Sequence, residues 1–137
     1  AETRCAASAL AREGRQAALM HPQSLLTARS GGDERKIDAR FVIDCAREGD
    51  PAALAVFERY TDALSAVTAS LINILDPEVI ALGGGVSGAG EFLFEPVREK
   101  TRRQSFYREH ARIVRAELGN DAGMLGAALL YADEKKA

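Results

Sequence analysis

Three consecutive glycines, Gly83 to Gly85, constrain the fold of this chain more than any other feature of its sequence. They follow the apolar run Val79 to Leu82, which has the length of a strand and is β-branched at its start, within the stretch INILDPEVIALGGGVSGAGEF. A sequence typical of a helix comes next, so the stretch predicts a buried strand, a sharp turn and a helix. A tight strand-to-helix turn needs fewer glycines than this, and Gly88 and Gly90 stand close behind. The run is therefore explained either by turn geometry or by a ligand that approaches the backbone closely.

The residues around the glycines indicate which ligand would suit them. The stretch matches neither the GxGxxG pattern nor the phosphate-binding P-loop, because no Lys-Ser or Lys-Thr pair follows it. No basic residue lies between Gly83 and Arg98, so the loop is a poor grip for a triphosphate. If a ligand binds here, we expect a flat, largely uncharged group such as an adenine base.

The rest of the chain is predicted to be mostly helical, with a second short strand. Asp38 and Asp50 stand where helix N-caps are expected, and Pro51 occupies the first helical position, where its missing N–H costs least. A loop is expected over residues 20–37, and the last helix has Asn120 or Asp121 as its cap. Helices are predicted over residues 3–19, 38–48, 51–75, 90–106 and from the cap near 120 to 136, and strands over 79–82 and around Ile113 and Val114.

The longest predicted helix, 51–75, carries an apolar stripe at helical spacing and ends at the Asp76-Pro77 pair. Because the stripe is wide, we expect this helix to pack on two sides. The stripe consists of Leu54, Phe57, Leu64, Val67, Leu71 and Ile74.

The predicted element order α–α–α–β–α–β–α belongs to the α/β class. A strand, a helix and a strand in succession imply a parallel pair with a right-handed crossover. Parallel sheets normally have several strands and are covered on both faces. Two strands leave an edge that needs partners, so we expect the rest of the sheet to lie elsewhere and this chain to be part of a larger fold.

Composition excludes several classes of function. With 18 basic and 20 acidic residues the net charge is −2, so the composition gives no sign of the excess positive charge that nucleic-acid binding needs. No apolar run approaches the length that spans a bilayer, so no membrane association is expected. The two cysteines, Cys5 and Cys45, form no CxxC pair that would bind zinc, and together with the lack of a signal peptide they predict a cytoplasmic protein.

Two stretches carry a resemblance to a known family. NILDPEVIALGGGVSGAGEFLFEPVREKTRRQSF, followed by LGNDAGMLGAALL, closely resembles the C-terminal part of bacterial ROK (repressor, open reading frame, kinase) sugar kinases. Within that family the chain is most similar to the ATP-dependent glucokinases. AREGDPAALAVFERY and the opening ETRCAASAL also fit, so the resemblance covers nearly the whole chain.

The resemblance implies a fold and two binding sites. ROK kinases belong to the actin-like ATPase (ribonuclease H-like) superfamily, in which two lobes close over ATP and sugar. By resemblance, Gly83, Gly84, Gly85 and Val86 line the adenosine pocket, and Glu2 binds the hydroxyl groups of glucose or a related hexose. Ala6 stands where the family usually has serine, which weakens the alignment at Glu2. From the residue pattern alone, the alternative is that Glu2 is a helix N-terminal residue favoured by the macrodipole.

The resemblance also implies what this chain lacks. The family's phosphate loop, its catalytic aspartate and its zinc-binding loop have no counterpart in the sequence, so we expect no catalytic and no metal-binding residue here. ATP and Mg²⁺ would serve the full-length parent. Residues 1–137 are thus expected to be a C-terminal lobe segment that is inactive alone, since phosphoryl transfer depends on those missing groups.

Two other functions stay open. ROK repressors carry a similar body behind a DNA-binding helix pair, so the chain is alternatively the C-terminal effector part of a repressor. It is also a candidate dimerisation module that associates through helix 51–75, and a homodimer is compatible with either function.

Other residues have simpler interpretations. Asp121 is predicted to be a helix cap rather than a metal ligand. His21 and His110 are predicted to be surface or loop residues. The aromatic residues Phe92, Phe94, Phe106 and Tyr107 are predicted to pack rather than to stack on a ligand.

Overall fold

The computed structural model describes residues 5–106 and 111–117. This part of the chain has an α/β fold that is mostly helical, with one parallel pair of strands. Its helices are α1 (Ala7–Met20), α2 (Leu25–Ser30), α3 (Ala39–Arg47), α4 (Pro51–Leu75) and α5 (Glu91–Gln104), its strands are β1 (Val79–Leu82) and β2 (Arg112–Arg115), and short 3₁₀ turns cover Glu34–Lys36 and Gly85–Ala89.

The observed order, α–α–α–α–β–α–β, has one helix more than predicted before β1. The extra helix is α2, which lies inside the predicted loop 20–37. Ser24 caps it by accepting a hydrogen bond from the Leu26 N–H at 3.1 Å, and Gly31 ends it at φ 61°. At six residues, α2 is too short to show helical periodicity. The predicted last helix lies outside the described residues.

Asp50 caps two helices at once. Its Oδ2 accepts hydrogen bonds from the Ala53 N–H at 2.9 Å and the Ser24 hydroxyl at 2.7 Å, and its Oδ1 accepts one from the Leu25 N–H at 2.9 Å. The predicted caps at Asp50 and Asp38 and the predicted place of Pro51 are confirmed. Asp50 thereby fastens the start of α2 to the start of α4.

Helix α4 is the centre of the core and packs against α1, α3 and α5. The prediction of its extent and of packing on more than one side is confirmed, but the predicted stripe is wrong for much of the helix. Leu54, Leu71 and Ile74 are exposed by 36%, 42% and 78%. The buried face is made instead of small and hydroxyl-bearing residues with a few large ones: Ala53, Val56, Phe57, Tyr60, Thr61, Ser65, Thr68, Ala69 and Ile72.

The hydroxyl groups on the buried face of α4 find hydrogen-bond acceptors. Thr61 and Thr68 donate to carbonyl groups of their own helix at 2.9 and 2.8 Å, and Ser65 donates to the Val97 carbonyl of α5 at 3.3 Å. Burying these hydroxyl groups therefore carries little of the usual cost of an unpaired polar group.

The strands form the predicted parallel pair, with Ile80 opposite Ile113 and Ala81 opposite Val114. Ile113 is buried. The expectation of a buried first strand is wrong, because Val79 and Ala81 are exposed and Ile80 and Leu82 are only half-buried. One face of β1 thus has no cover from the described residues.

Helix α5 is fastened on both sides by basic residues. Lys100 Nζ contacts Asp62 Oδ1 at 2.6 Å and the Thr61 hydroxyl at 2.8 Å on α4, and Arg98 Nε donates to the Ile113 carbonyl of β2 at 3.0 Å. These contacts fix the helix that begins directly after the glycine-rich stretch.

Candidate functional site

The candidate site is the loop that leaves the end of β1, defined here as the glycine loop, residues Gly83–Val86. Gly83, Gly84 and Gly85 are exposed, whereas Val86 is 6% exposed and packs into the core. The second 3₁₀ turn, Gly85–Ala89, leads directly from this loop into α5. The predicted strand, turn and helix are therefore present, with a row of uncovered backbone between them.

The three glycines differ in how far their surroundings require glycine. Gly84 adopts φ 86° and ψ 176°, a region open almost only to glycine. A Cβ on Gly83 would lie 3.4 Å from the Ala116 Cβ, an ordinary contact. A Cβ on Gly85 would meet no atom of the described residues within 4 Å, and this glycine does not have a positive φ. Turn geometry thus requires glycine at position 84 only.

Ser87 closes the glycine loop from the inside. Its hydroxyl donates a hydrogen bond to the Gly84 carbonyl at 2.7 Å, and its N–H donates to the same oxygen at 3.1 Å. Ser87 is 2% exposed. The polar side chain nearest the loop is therefore used to hold the backbone in shape, and the loop itself carries no charge.

Arg47 reaches the far end of the turn from α3. Its guanidinium donates a hydrogen bond to the Ala89 carbonyl and lies over the Phe92 ring, 5.4 Å from the ring centroid. No pattern in the sequence pointed to Arg47 as part of the site. No basic residue stands between Gly83 and Arg98 in the sequence, but the guanidinium of Arg47, 42 positions before Ala89, contacts this segment.

Comparison with known proteins identifies the family. A sequence profile of the ROK family matches residues 1–134. This chain belongs to the ROK family. It is similar to the glucokinases of Thermotoga maritima (43% identical over 108 residues, 77% of this chain and 34% of the relative) and Halalkalibacterium halodurans (32% identical over 138 residues, 99% of this chain and 42% of the relative). The chain thus spans between about a third and two fifths of the length of these relatives.

Solved structures of ROK proteins share its fold. A ROK family glucokinase from Streptomyces griseus, in complex with glucose and AMPPNP, superposes with a TM-score of 0.82 at 34% identity and covers 94% of this chain and 43% of that chain. A ROK hexokinase from Thermus thermophilus superposes with a TM-score of 0.70 at 31% identity and covers 99% and 41%. Both are larger proteins in which this ROK chain corresponds to one part.

Several predicted residues lie outside the described part of the ROK chain. They are Glu2, the predicted sugar ligand, and Tyr107, His110, Asn120 and Asp121. His21 lies at the end of α1 and is exposed, as predicted. The structure therefore describes the predicted nucleotide residues, and the predicted sugar-binding residue stays a prediction.

The aromatic residues near the site behave in three ways. Phe94 is 2% exposed and packs in the core, as predicted. Phe92 stacks on Phe57 with ring centroids 4.7 Å apart. Phe106 is 88% exposed, so the prediction that it packs is wrong in this structure.

A large open cleft of about 1210 Å³ lies between α4, α5 and β2, away from the glycine loop. Its apolar floor includes Phe57, Phe92 and Ile113, and charged residues of α5 such as Glu95 and Arg102 stand around it. None of the residues of the glycine loop lines it. Size alone therefore does not mark the candidate site in this ROK chain.

The described residues offer neither a reactive thiol at Cys45 nor a metal-binding cluster. Cys45 is buried, and burial raises the pKa of its thiol, so it is not an activated nucleophile. Within residues 5–106 and 111–117, no group of three or more His, Cys, Asp or Glu side chains is placed to hold a metal ion. The same residues include no helix long and apolar enough to cross a membrane.

Proposed function

We propose that residues 1–137 are the C-terminal lobe segment of a ROK sugar kinase and that Gly83–Val86 form the surface against which the adenosine of ATP lies. The uncovered backbone at Gly85, where neither φ nor packing calls for glycine, carries the proposal. The match to a glucokinase structure that contains AMPPNP supports it, as does the 43% identity to the Thermotoga maritima glucokinase. The lobe is then part of an actin-like ATPase fold.

The chemistry of the loop fits an uncharged nucleoside. Glycines remove the side chains that would keep a flat base away from the backbone, and exposed N–H and C=O groups remain available for hydrogen bonds. Gly84 and Ser87 preset the shape of the loop before a ligand arrives. The buried side chain of Val86 ties it to the core, so binding orders few residues and loses little conformational entropy.

The described residues do not account for the rest of phosphoryl transfer. ATP supplies the γ-phosphate, and the acceptor in the parent protein is the 6-hydroxyl of glucose or a related hexose. Transfer needs a base and Mg²⁺ as well as donors around the phosphates. Since no described cluster of acidic residues fits a metal ion, no step through Mg²⁺ is assigned to this chain. The role of the chain is to hold and orient the nucleotide.

A glycine substitution tests the loop. Gly85→Val adds a side chain to open space without backbone strain, so the fold should be kept. The new methyl groups would clash with a bound base, and the affinity for AMPPNP should therefore fall at least about tenfold. Isothermal titration calorimetry on the purified chain measures the affinity. Gly88→Val is the matched control, because Gly88 lies in the same turn, is exposed and has equally open space around its Cα.

The expected result is weak binding of equal affinity by the unchanged chain and by Gly88→Val, and binding at least about tenfold weaker by Gly85→Val. Equal affinity in all three proteins would leave turn geometry as the only reason for the glycines. The isolated chain is also expected to form no glucose 6-phosphate in a coupled assay. Sustained turnover by the purified chain would contradict the assignment as a lobe segment.

Nucleotide titration also separates the kinase from the alternative, the effector part of a ROK repressor, because a repressor has no need of ATP. We further infer a cytoplasmic parent protein that forms a homodimer. Exposed apolar side chains at the end of α4 and the start of β1, namely Leu71, Ile74, Leu75 and Val79, support association. Analytical ultracentrifugation tests it, and a strictly monomeric chain at all concentrations would contradict it.

A further inference from the structure

The turn after the glycine loop is held at two places. Ser87 fastens it to Gly84 from inside, through the two hydrogen bonds described above. Its other end, Ala89, is followed by Gly90 at φ 62°, where α5 begins. The only side-chain hydrogen bond that the described residues provide to the Ala89 carbonyl comes from Arg47.

Arg47 stands at the end of a helix that is packed into the core. It belongs to the last turn of α3, whose neighbouring residues Cys45 and Ala46 are 1% and 2% exposed. The acidic residue next to it, Glu48, is engaged by Arg29, with both guanidinium nitrogens 2.5 Å from the carboxylate oxygens. Glu48 is thus paired with Arg29, and the Arg47 guanidinium contacts the turn.

The guanidinium makes two different contacts with the segment that follows the loop. It donates to the Ala89 carbonyl, and it lies over the ring of Phe92, which in turn stacks on Phe57 of α4. A planar guanidinium can donate along its edge while its face covers an aromatic ring, which a lysine ammonium cannot do. Arg47 thus connects α3 to the turn and to Phe92 in the first turn of α5, and Phe92 in turn contacts α4.

We propose that Arg47 is a positioning residue for the nucleotide site: it holds the 85–89 turn so that the glycine loop is in its binding shape before the nucleotide arrives. This inference rests on the proposed function. It assigns Arg47 no contact with the nucleotide. Without Arg47, the loop would be in the binding shape for only part of the time, and the apparent affinity would fall by that fraction.

The test combines hydrogen exchange with nucleotide binding on three variants of the 137-residue chain. Arg47→Met keeps the apolar stem and removes the donors, and Arg47→Lys keeps the charge but not the planar fork. Arg40→Met is the matched control, since Arg40 is exposed on the same helix. NMR-detected exchange is followed at the N–H groups of Ser87 and Gly90, which close the turn at 3.1 and 3.3 Å.

Without nucleotide, Arg47→Met is expected to exchange faster at Ser87 and Gly90 while amides in the middle of α4 are unchanged. Its affinity for AMPPNP falls about three- to tenfold, as for a loop that is preformed for a tenth to a third of the time. Arg47→Lys is intermediate in both measurements, and Arg40→Met equals the unchanged chain. Added methylguanidinium slows the exchange of Arg47→Met again, which a general loss of stability would not allow.

Three results would overturn the proposal, and they are distinguishable. Unchanged exchange and affinity in Arg47→Met, beside an unchanged chain that binds AMPPNP, would overturn the role of Arg47 alone. An unchanged chain that binds no AMPPNP overturns the proposed function, and the positioning role with it. Faster exchange throughout α4 as well as in the turn would show that Arg47 stabilises the whole fold, which also overturns the proposal.

Discussion

Asp50→Asn is the sharpest test of how this fold is held together. Asp50 is 6% exposed, and its carboxylate accepts three hydrogen bonds, two at Oδ2 and one at Oδ1. Asparagine offers one oxygen and one NH₂ group. Whichever way it is turned, its NH₂ group meets at least one donor, from Leu25 or from Ser24 and Ala53. A buried N–H without an acceptor costs about 1–3 kcal/mol, and loss of the charge weakens the remaining bonds.

The expected loss of unfolding free energy for Asp50→Asn is therefore about 2–4 kcal/mol. Asp38→Asn is the control. Asp38 is an exposed N-cap that accepts one backbone hydrogen bond, from the Phe41 N–H at 2.8 Å. Asparagine serves equally well in such a place, so its cost should stay within about 0.5 kcal/mol. Urea denaturation followed by far-ultraviolet circular dichroism measures both.

The effect of Asp50 also depends on pH. Burial alone would raise the pKa of Asp50, but hydrogen bonds from Ala53, Leu25 and Ser24 outweigh burial and lower it below the ordinary value of 3.8. A lowered pKa in the folded state means that the contribution is complete above that ordinary value and is lost as the pH falls through the folded pKa. The difference between the unchanged chain and Asp50→Asn should thus shrink in acid. Equal costs for the two Asn variants, or a gap that widens in acid, would refute the double-cap assignment.

Two further predictions concern the core. Gly14→Ala should lower the unfolding free energy by about 1–2 kcal/mol in urea denaturation, although alanine favours helices. The reason is that the new Cβ would lie 2.2 Å from Val42 Cγ2, in a fully buried contact. A variant more stable than the unchanged chain would contradict this close contact between the helices. Burial raises the pKa of Tyr60, whose hydroxyl donates to the Cys5 carbonyl at 3.0 Å, to about 12. Its contribution is complete below the ordinary value of 10.0 and is lost as the pH rises toward 12. Ultraviolet titration should show one tyrosine ionising late, and Tyr60→Phe should remove that step; if all tyrosines ionise together near their ordinary pKa, the burial argument fails.

Local chemistry made part of the fold predictable. An N-cap needs only a carboxylate and the next few N–H groups. Asp38, Asp50 and Pro51 therefore predicted the starts of their helices correctly. The parallel strand pair followed from the order strand, helix, strand, which leaves one favoured handedness. These features depend on neighbours in sequence or on chirality, both of which are visible without a structure.

Long-range partners were not predictable in this way. Hydrophobicity predicted that Leu54, Leu71 and Ile74 lie on the buried face of α4. The helices α1, α3 and α5 instead pack against a face made largely of small and hydroxyl-bearing residues. Gly14 reads as a weak point of α1, yet it is where Val42 comes within reach of the helix backbone. Arg47 lies far from Ala89 in sequence, and nothing around it signals the contact.

The glycine run illustrates how structure divides a single sequence signal. Gly84 is required by its backbone angles, so any larger residue there strains the turn by about 1–3 kcal/mol and lowers both stability and binding. A loss of affinity at that position would not separate the two explanations that the sequence left open. Gly85 has neither a positive φ nor a neighbouring atom among the described residues that a Cβ would meet, so its substitution changes only what can approach the backbone from outside. The test of the two explanations therefore depends on Gly85, which has no positive φ and around whose Cα the described residues leave open space.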